Sequence, residues 1–462
     1  GSLLGENLKS GGIQSYFAIP VSFRGEKLGF LELGSQRKGA LNSTIHSQIQ
    51  HILPILAVAG NRFNEEFDNK VEAVIQERFT TIHPSVKWRF TEEAMRLIST
   101  PEHQIDLKDI VFRKVYPLFG QLDIRQSTLN RNEAVRKDMI EQMDMAAEII
   151  TSASRIKKLP IYEEILYNIM RFKSALNEDI DTTTEHAIIV FVTKELNPLI
   201  SSTSKAFPEL SETVEQYEKS LKAGFEIVYQ ERAAFDRSLN EINRILTQYI
   251  DEEQLKAQKM FPHYFERYKT DGVEFNMYIG ESIAPGQGFD LLYYKNLRLW
   301  QLLAMIQMER KVATVRDDLP LPLEIASLIL AFSTPLSIHF RIDEKRFDVE
   351  GAYNARYEII KKRLDKAYIK GTEERITCPG KMVVVYSSES DEQEYLRYFR
   401  FLQAKGLIKP GPVQRVTLQD LQGVSGLKAL RADIDYSRSD ELSSLSMDDI
   451  IAEIEESPAE PS

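Results

Sequence analysis

The stretch Val115-Tyr-Pro-Leu-Phe-Gly-Gln-Leu-Asp-Ile-Arg-Gln-Ser-Thr-Leu-Asn-Arg-Asn132 constrains this chain more than any other. A β-like run that stops at Pro117 and Gly120 is followed at once by a long amphipathic helix, so sheet and helical bundle must meet here. Six polar residues crowd the junction: Asp123, Arg125, Ser127, Asn130, Arg131 and Asn132. Helix N-terminal amides, the helix dipole and guanidinium forks all favour negative charge at such a place. Arg125 and Arg131, supported by Asn130 and Asn132, are therefore candidate anion contacts. The structural alternative has Asp123 capping the helix with Gln126 at capping-box spacing, Ser127 beside it, and an arginine closing the junction.

Downstream, helical periodicity dominates. Val135, Met139, Gln142, Ala146 and Ile150 form one stripe and Ile161, Ile165, Ile169, Phe172 and Leu176 a second, with Lys158-Leu-Pro160 between them. The apolar run Ala187 to Leu199 predicts a buried helix ending near Pro198. From Glu209 to about Lys259 one long pattern runs through Val214, Tyr217, Leu221, Val228, Phe235, Leu239, Ile242, Leu246 and Ile250. It predicts a single long arm, suited to a bundle and to pairing with a second copy. Aromatic alternation around Tyr278 predicts a strand or two, Leu297 to Ile306 a helix, and the segment from Pro322 to Ala331 another helix. The last region reads β-α-β-α-β: Ser337–Ile342, Tyr353–Tyr368, Met382–Tyr386, Gln393–Lys405 and Val413–Leu418.

Composition narrows the function classes. The net charge is −11, but nine acids and one base lie in residues 435–462, leaving a nearly neutral body. Nucleic-acid binding is not indicated, and no apolar run approaches the ~18 residues of a membrane span. The single cysteine, Cys378, excludes an intrachain disulfide and a cysteine-based zinc site, which suits a reducing, cytoplasmic setting. The seven histidines are scattered, Gly286-Gln-Gly288 lacks a third glycine, and Gly380-Lys381 is followed by Met382. No metal, cofactor or catalytic residue is assigned. Lys361, Lys362, Arg363, Lys366 and Lys370 give one helix a basic side, read as a solvated face.

Near the N-terminus, Tyr16-Phe-Ala-Ile-Pro-Val-Ser-Phe23 and Lys27-Leu-Gly-Phe-Leu-Glu-Leu-Gly34 flank Arg24-Gly-Glu26, a hairpin signal, and an amphipathic helix follows. This arrangement resembles the C-terminal third of a GAF domain, over about fifty residues. The segment "VYPLFGQLDIRQS…RN" resembles one that follows GAF domains in uncharacterised bacterial GAF-containing proteins. The resemblance implies an intracellular sensor or signalling lineage, an incomplete GAF module and a longer natural polypeptide. It implies no activity.

The expected fold is thus mixed and mainly α: a partial GAF-like hairpin-plus-helix unit with its connector helix at 1–80, a mainly helical central domain at 81–332, a small α/β domain at 333–434, and an acidic disordered tail at 435–462. The expected function is a non-enzymatic signalling or scaffold relay. Its partners would be a protein bound through the tail, where Leu445, Met447, Ile450, Ile451 and Ile454 share one side of a nascent helix, and a second copy bound through the long helices. The alternatives are an enzyme with an unrecognised site and a small-anion sensor built on residues 123–132.

Overall fold

A computed structural model describes residues 3–78, 82–99, 109–177, 182–341, 346–349 and 352–437. The chain divides into two compact units, residues 1–111 with 338–348, and residues 112–337 with 349–462. The expected tail helix at 445–454 lies outside the described residues.

The first unit opens with α1 (Leu3–Ser10), then β1 (Ser15–Phe23) and β2 (Glu26–Ser35). The two strands pair antiparallel from Ser15↔Ser35 to Phe23↔Glu26 with a register shift at Val21/Ser22. Arg24 and Gly25 both adopt positive φ in the turn, where Gly25 has no side chain to strain. α2 (Ser43–Arg78) follows, lays Ala57 inward, and meets α3 (Pro84–Ser99) through Val71, Ile75 and Ala94. The hairpin and the helix after it lie where the sequence pattern places them. Phe90 of α3 packs edge-on against Phe340 and Phe347, at 4.9 and 6.1 Å between ring centres.

The second unit starts with β3 (Val111–Ile124), which does not stop at Pro117 or Gly120. β7 pairs with it from Tyr116 to Asp123 and β8 from Phe119 to Ile124. α4 (Ser127–Ile156) and α5 (Pro160–Leu176) appear as read. α6 (Thr182–Phe191) then runs through a wide π-turn at Val192–Leu196 into α7 (Asn197–Ala206). The π-turn, closed by the Asn197 amide on Val192 O, admits Pro198 to the first turn of α7, so the helical path does not end there.

The single arm expected over 209–259 is two helices. α8 (Ser211–Ser220) ends at a small hairpin, β4 (Leu221–Lys222) and β5 (Ile227–Val228), before α9 (Glu231–Met260). Gly224 at φ 82° and Glu226 at φ 56° turn the chain, which no helix tolerates. Leu246 is fully buried and Leu239 packs against the same core, so the α9 stripe expected to pair with a second copy is used within the unit. Asp138 of α4 caps α9: its carboxylate accepts the amides of Gln230, Glu231 and Arg232 at 2.8–3.1 Å and the Arg232 guanidinium at 2.9 Å.

β6 (Tyr264–Lys269), β7 (Gly272–Ile279), α10 (Leu291–Val315) and β8 (Ile325–Leu330) come next. The segment expected to be a helix after Pro322 is the strand β8, all six of its residues buried. β9 (Leu336–Arg341) and β10 (Arg346–Val349) fall mostly in the first unit. α11 (Ala352–Lys361), β11 (Lys381–Tyr386), α12 (Glu389–Ala404), β12 (Gln414–Thr417) and β13 (Lys428–Asp433) complete the second.

Within the second unit the strands run β6-β7-β3-β8-β11-β13-β12, with β8 and β11 parallel and every other pair antiparallel. β8, before the boundary expected at residue 332, and β11, after it, are sheet neighbours. The fold is mixed α/β, with helix at 55% and strand at 23%. One core joins Leu118, Leu122, Phe275, Met277, Ile329 and Val384 of the sheet to α9, α10 and α12. A second lies among α4 to α8, around Met143, Ile150, Ile169, Ile188, Leu196 and Tyr217. Asp435, placed by sequence in the tail, is tied by its amide to Leu407 O, next to Ile434, whose amide meets Gly380 O. Among the described residues no helix is long and apolar enough to cross a membrane.

Candidate functional site

Alternation along β3 and β7 builds the site. Leu118, Gly120, Leu122 and Ile124 face the core, as do Val273, Phe275, Met277 and Ile279. The other face carries Phe119, Gln121 and Asp123 on β3 and Gly272, Glu274, Asn276 and Tyr278 on β7. The register sets Gln121 opposite Glu274 and Asp123 opposite Gly272. Asp271 immediately precedes Gly272 in the turn between β6 and β7, where the Thr270 amide bonds Gly272 O. Two residues that lie far apart in sequence, Asp123 and Asp271, thus line one cleft at the end of the sheet.

Gly272 makes this approach feasible. A Cβ on it would lie 2.0 Å from Leu122 O, closer than any side chain permits, and 3.1 Å from Asp123 Cα. Glycine here is a requirement of backbone contact, not of a turn.

Gln121, Asp123, Lys269, Thr270, Asp271, Glu274, Lys361 and Lys362 line an open cleft of about 700 Å³. Lys361, the last residue of α11, and Lys362 after it line the same cleft. Lys361 Nζ is 3.1 Å from Glu358 Oε1 and 3.5 Å from Asn276 Oδ1. Behind it a polar chain runs into the covered part of the sheet: Asn276 donates to Glu266 Oε1 at 3.3 Å, and the Tyr264 hydroxyl donates to Glu266 Oε2 at 2.9 Å. Burial pushes the Glu266 carboxyl above its usual range, against the pull of Tyr264, Tyr268 and Lys361. Among the described residues Lys269, Asp271 and Lys362 form no ion pair within 4.0 Å, so three charges at the cleft have no protein partner.

Of the six junction residues read from sequence, the cleft takes Asp123 alone. Asp123 is a strand residue and not the helix cap; that position belongs to Gln126, at φ 52°, with no side-chain capping bond. Ser127, the first residue of α4, is buried. Asn130 donates to Arg125 O at 3.3 Å, and the Arg125 amide bonds Glu324 O at 2.8 Å. Arg131 is held 3.3 Å from Glu185 of α6, while Asn132 is half-buried on α4. Lys269, Asp271, Lys361 and Lys362 were not singled out as ligand contacts. The Asp271-Gly272 pair between two alternating aromatic runs was the legible signal, since Asp-Gly is a hairpin turn sequence. Lys361 and Lys362 were read as part of a solvated basic face.

Among the described residues no three histidine, cysteine, aspartate or glutamate side chains form a metal-holding group. The Asp123/Asp271 pair supplies two hard oxygen donors at most. No protein-family model matches the chain, and no curated protein does. A solved structure described as the guanylyl cyclase Cya2 aligns over 46% of this chain and 85% of its own at 16% identity, with a TM-score of 0.24. At that TM-score the likeness carries no argument about fold or activity.

Proposed function

We propose that this chain is a non-enzymatic signalling protein whose cleft between β3, the β6–β7 turn and α11 binds a small polyphosphate together with a divalent cation. The observation that carries the reading is that Asp123 and Asp271 line one open cleft together with Lys269, Lys361 and Lys362. Magnesium characteristically uses one or two protein carboxylates and completes its shell with ligand phosphates and water. Lysine ammoniums are compact point charges suited to the remaining phosphate oxygens. A ligand bearing both signs answers both sets of groups, whereas a simple anion would also meet the carboxylates of Asp123, Asp271 and Glu274. The volume, about 700 Å³, suits a nucleotide-sized molecule. The sensory part of the reading rests on the GAF-like motif at Tyr16 to Gly34.

Calorimetric titration of the full chain with ATP, GTP and pyrophosphate, with and without Mg²⁺ or Mn²⁺, tests it. Binding should need the cation. Asp123→Asn with Asp271→Asn should remove the cation dependence and weaken binding at least tenfold; Lys361→Met with Lys362→Met should weaken it with the cation dependence kept. Equal binding without cation, or wild-type affinity in both variants, refutes the site. Steady release of phosphate or pyrophosphate would overturn the non-enzymatic part.

A further inference from the structure

We propose that Glu266 regulates the cleft: through Asn276 it sets the charge that Lys361 offers to a bound polyphosphate, so that affinity falls as Glu266 ionises. The inference rests on the polyphosphate reading of the cleft. Lys361 Nζ lies 3.1 Å from Glu358 Oε1 and 3.5 Å from Asn276 Oδ1, and Lys361 also lines the cleft. An ammonium has three donors, so one is left for a ligand oxygen. The Lys361 side chain is 13% exposed and that of Glu358 20%, so water and salt screen the pair poorly. Because an ammonium only donates, the Asn276 carbonyl must face Lys361 and its amide must face Glu266, whose Oε1 lies 3.3 Å away. Asn276 is fully buried, so neither end of its side chain turns to water.

Glu266 can change its charge without breaking this chain. Its Oε2 accepts the Tyr264 hydroxyl at 2.9 Å when ionised, and the same hydroxyl can accept from the carboxyl when it is protonated. The groups that face Glu266 are Tyr264 and Tyr268 on β6, Asn276 and Tyr278 on β7, and Tyr357, Glu358 and Lys361 on α11. Burial drives the hydroxyls of Tyr264, Tyr278 and Tyr357 above their ordinary range, so they stay neutral at working pH. With Glu266 protonated, Lys361 is offset by Glu358 alone; with Glu266 ionised, one cation stands against two acids. Burial also raises the Glu266 carboxyl above the usual carboxylate range, which moves the change toward neutral pH.

Calorimetric titration of the full chain with ATP and Mg²⁺, from about pH 5 to about pH 8.5, compares wild type with Glu266→Gln. Glutamine has the shape of the neutral carboxyl and keeps both hydrogen bonds, so the circular dichroism of the variant should match wild type. The readout is the ratio of the two affinities, because ionisation of the phosphates and of Asp123 and Asp271 affects both proteins alike. The ratio should be near one at the acid end. It should rise to about two- to fivefold in favour of Glu266→Gln at the alkaline end, the effect of one charge about 10 Å from a phosphate at an effective dielectric of about 35–80. A second readout needs no ligand. In reductively ¹³C-methylated protein, with the Lys361 signal assigned by its loss in Lys361→Met, the methyl shift should inflect as Glu266 ionises, and Glu266→Gln should remove that inflection. A constant affinity ratio, or an unchanged Lys361 titration in Glu266→Gln, overturns the inference and leaves the reading of the cleft standing. Absence of binding by the wild type at every pH overturns that reading, and this inference with it.

Discussion

Replacing Gly272 with alanine should damage ligand binding more than it damages the fold. The added Cβ would sit 2.0 Å from Leu122 O and 3.0 Å from Leu122 C. Both atoms are backbone, so no rotamer change relieves the overlap; β3 and β7 must separate by about 1 Å or slip. Gly272 pairs with Asp123 at the end of the register, and the cheapest response is to open that end. The cost should then be about 1–3 kcal/mol, the range for overpacking, less the few tenths that alanine returns by restricting the unfolded chain. The same opening moves Asp271 away from Asp123. Affinity for a cation-bound polyphosphate should fall more than tenfold, which is above ~1.4 kcal/mol, at temperatures where the variant is fully folded. Gly286→Ala is the control. It replaces a glycine at positive φ, 77°, unlike Gly272, and its Cβ touches nothing within 4 Å, so it should lose about 1 kcal/mol and bind normally. Thermal denaturation and calorimetry on the two variants suffice. Wild-type affinity and an unchanged melting temperature in Gly272→Ala would show that the strand pair is not held as tightly as described, and the argument for the site would fail with it.

Asp138→Ala should cost about 3–5 kcal/mol in urea denaturation, because it strands the buried Arg232 guanidinium and uncaps three amides of α9; Asp138→Asn, which keeps one acceptor, should lose clearly less. Glu309 is 2% exposed and burial lifts its carboxyl to about 8, so the folded state holds a proton that the unfolded state has released above about 4.5. The contribution of this group to stability is fully present below the unfolded value, falls as pH rises, and is lost beyond about 8; Glu309→Gln should flatten that part of the stability profile, and an unchanged slope would refute the assignment. Arg298 is 1% exposed between Asp391 at 2.9 Å and Glu394 at 3.0 Å, so Asp391→Ala should destabilise by several kcal/mol, whereas a well-packed apolar replacement of the whole group should not.

Local patterns were legible and long-range ones were not. The hairpin at Arg24-Gly-Glu26, the break at Lys158-Leu-Pro160 and the strand Met382 to Tyr386 follow from turn chemistry and short apolar runs, which act within a few residues. β8 misled because Ile325-Ala-Ser-Leu-Ile-Leu330 is buried on both faces, so it shows no period-two alternation and reads as readily as a buried helix. The break between α8 and α9 was masked because Ile227 and Val228 are buried and keep the apolar spacing going; Gly224 was the only warning. The cleft was out of reach for a different reason. Asp123 and Asp271 are about 150 residues apart, and only the β3–β7 register, fixed by which faces are apolar, makes them neighbours.

The distribution of charge argues that the cleft is more than a by-product of the sheet. In this unit acids and bases that can reach one another generally do: Arg267 of β6 holds Asp251 of α9 with two bonds of 3.0 Å, Arg415 meets Glu392 at 2.7 Å, and Lys381 meets Asp433 at 3.0 Å. Lys269 lies only two residues beyond Arg267 on the same strand and two before Asp271, yet it joins neither that acid nor another among the described residues. Meanwhile Asp123 and Asp271 line the same cleft, and like charges there repel one another. Folding gains nothing from that repulsion, and Asp271→Asn should stabilise the ligand-free protein slightly. A divalent cation reverses the sign, because both carboxylates then face a common positive charge. The same substitution would thus raise the melting temperature without Mg²⁺ and lower it, relative to wild type, with Mg²⁺ and a polyphosphate present. That crossover is what a ligand site predicts; a purely structural pair of carboxylates would shift the melting temperature in one direction under both conditions.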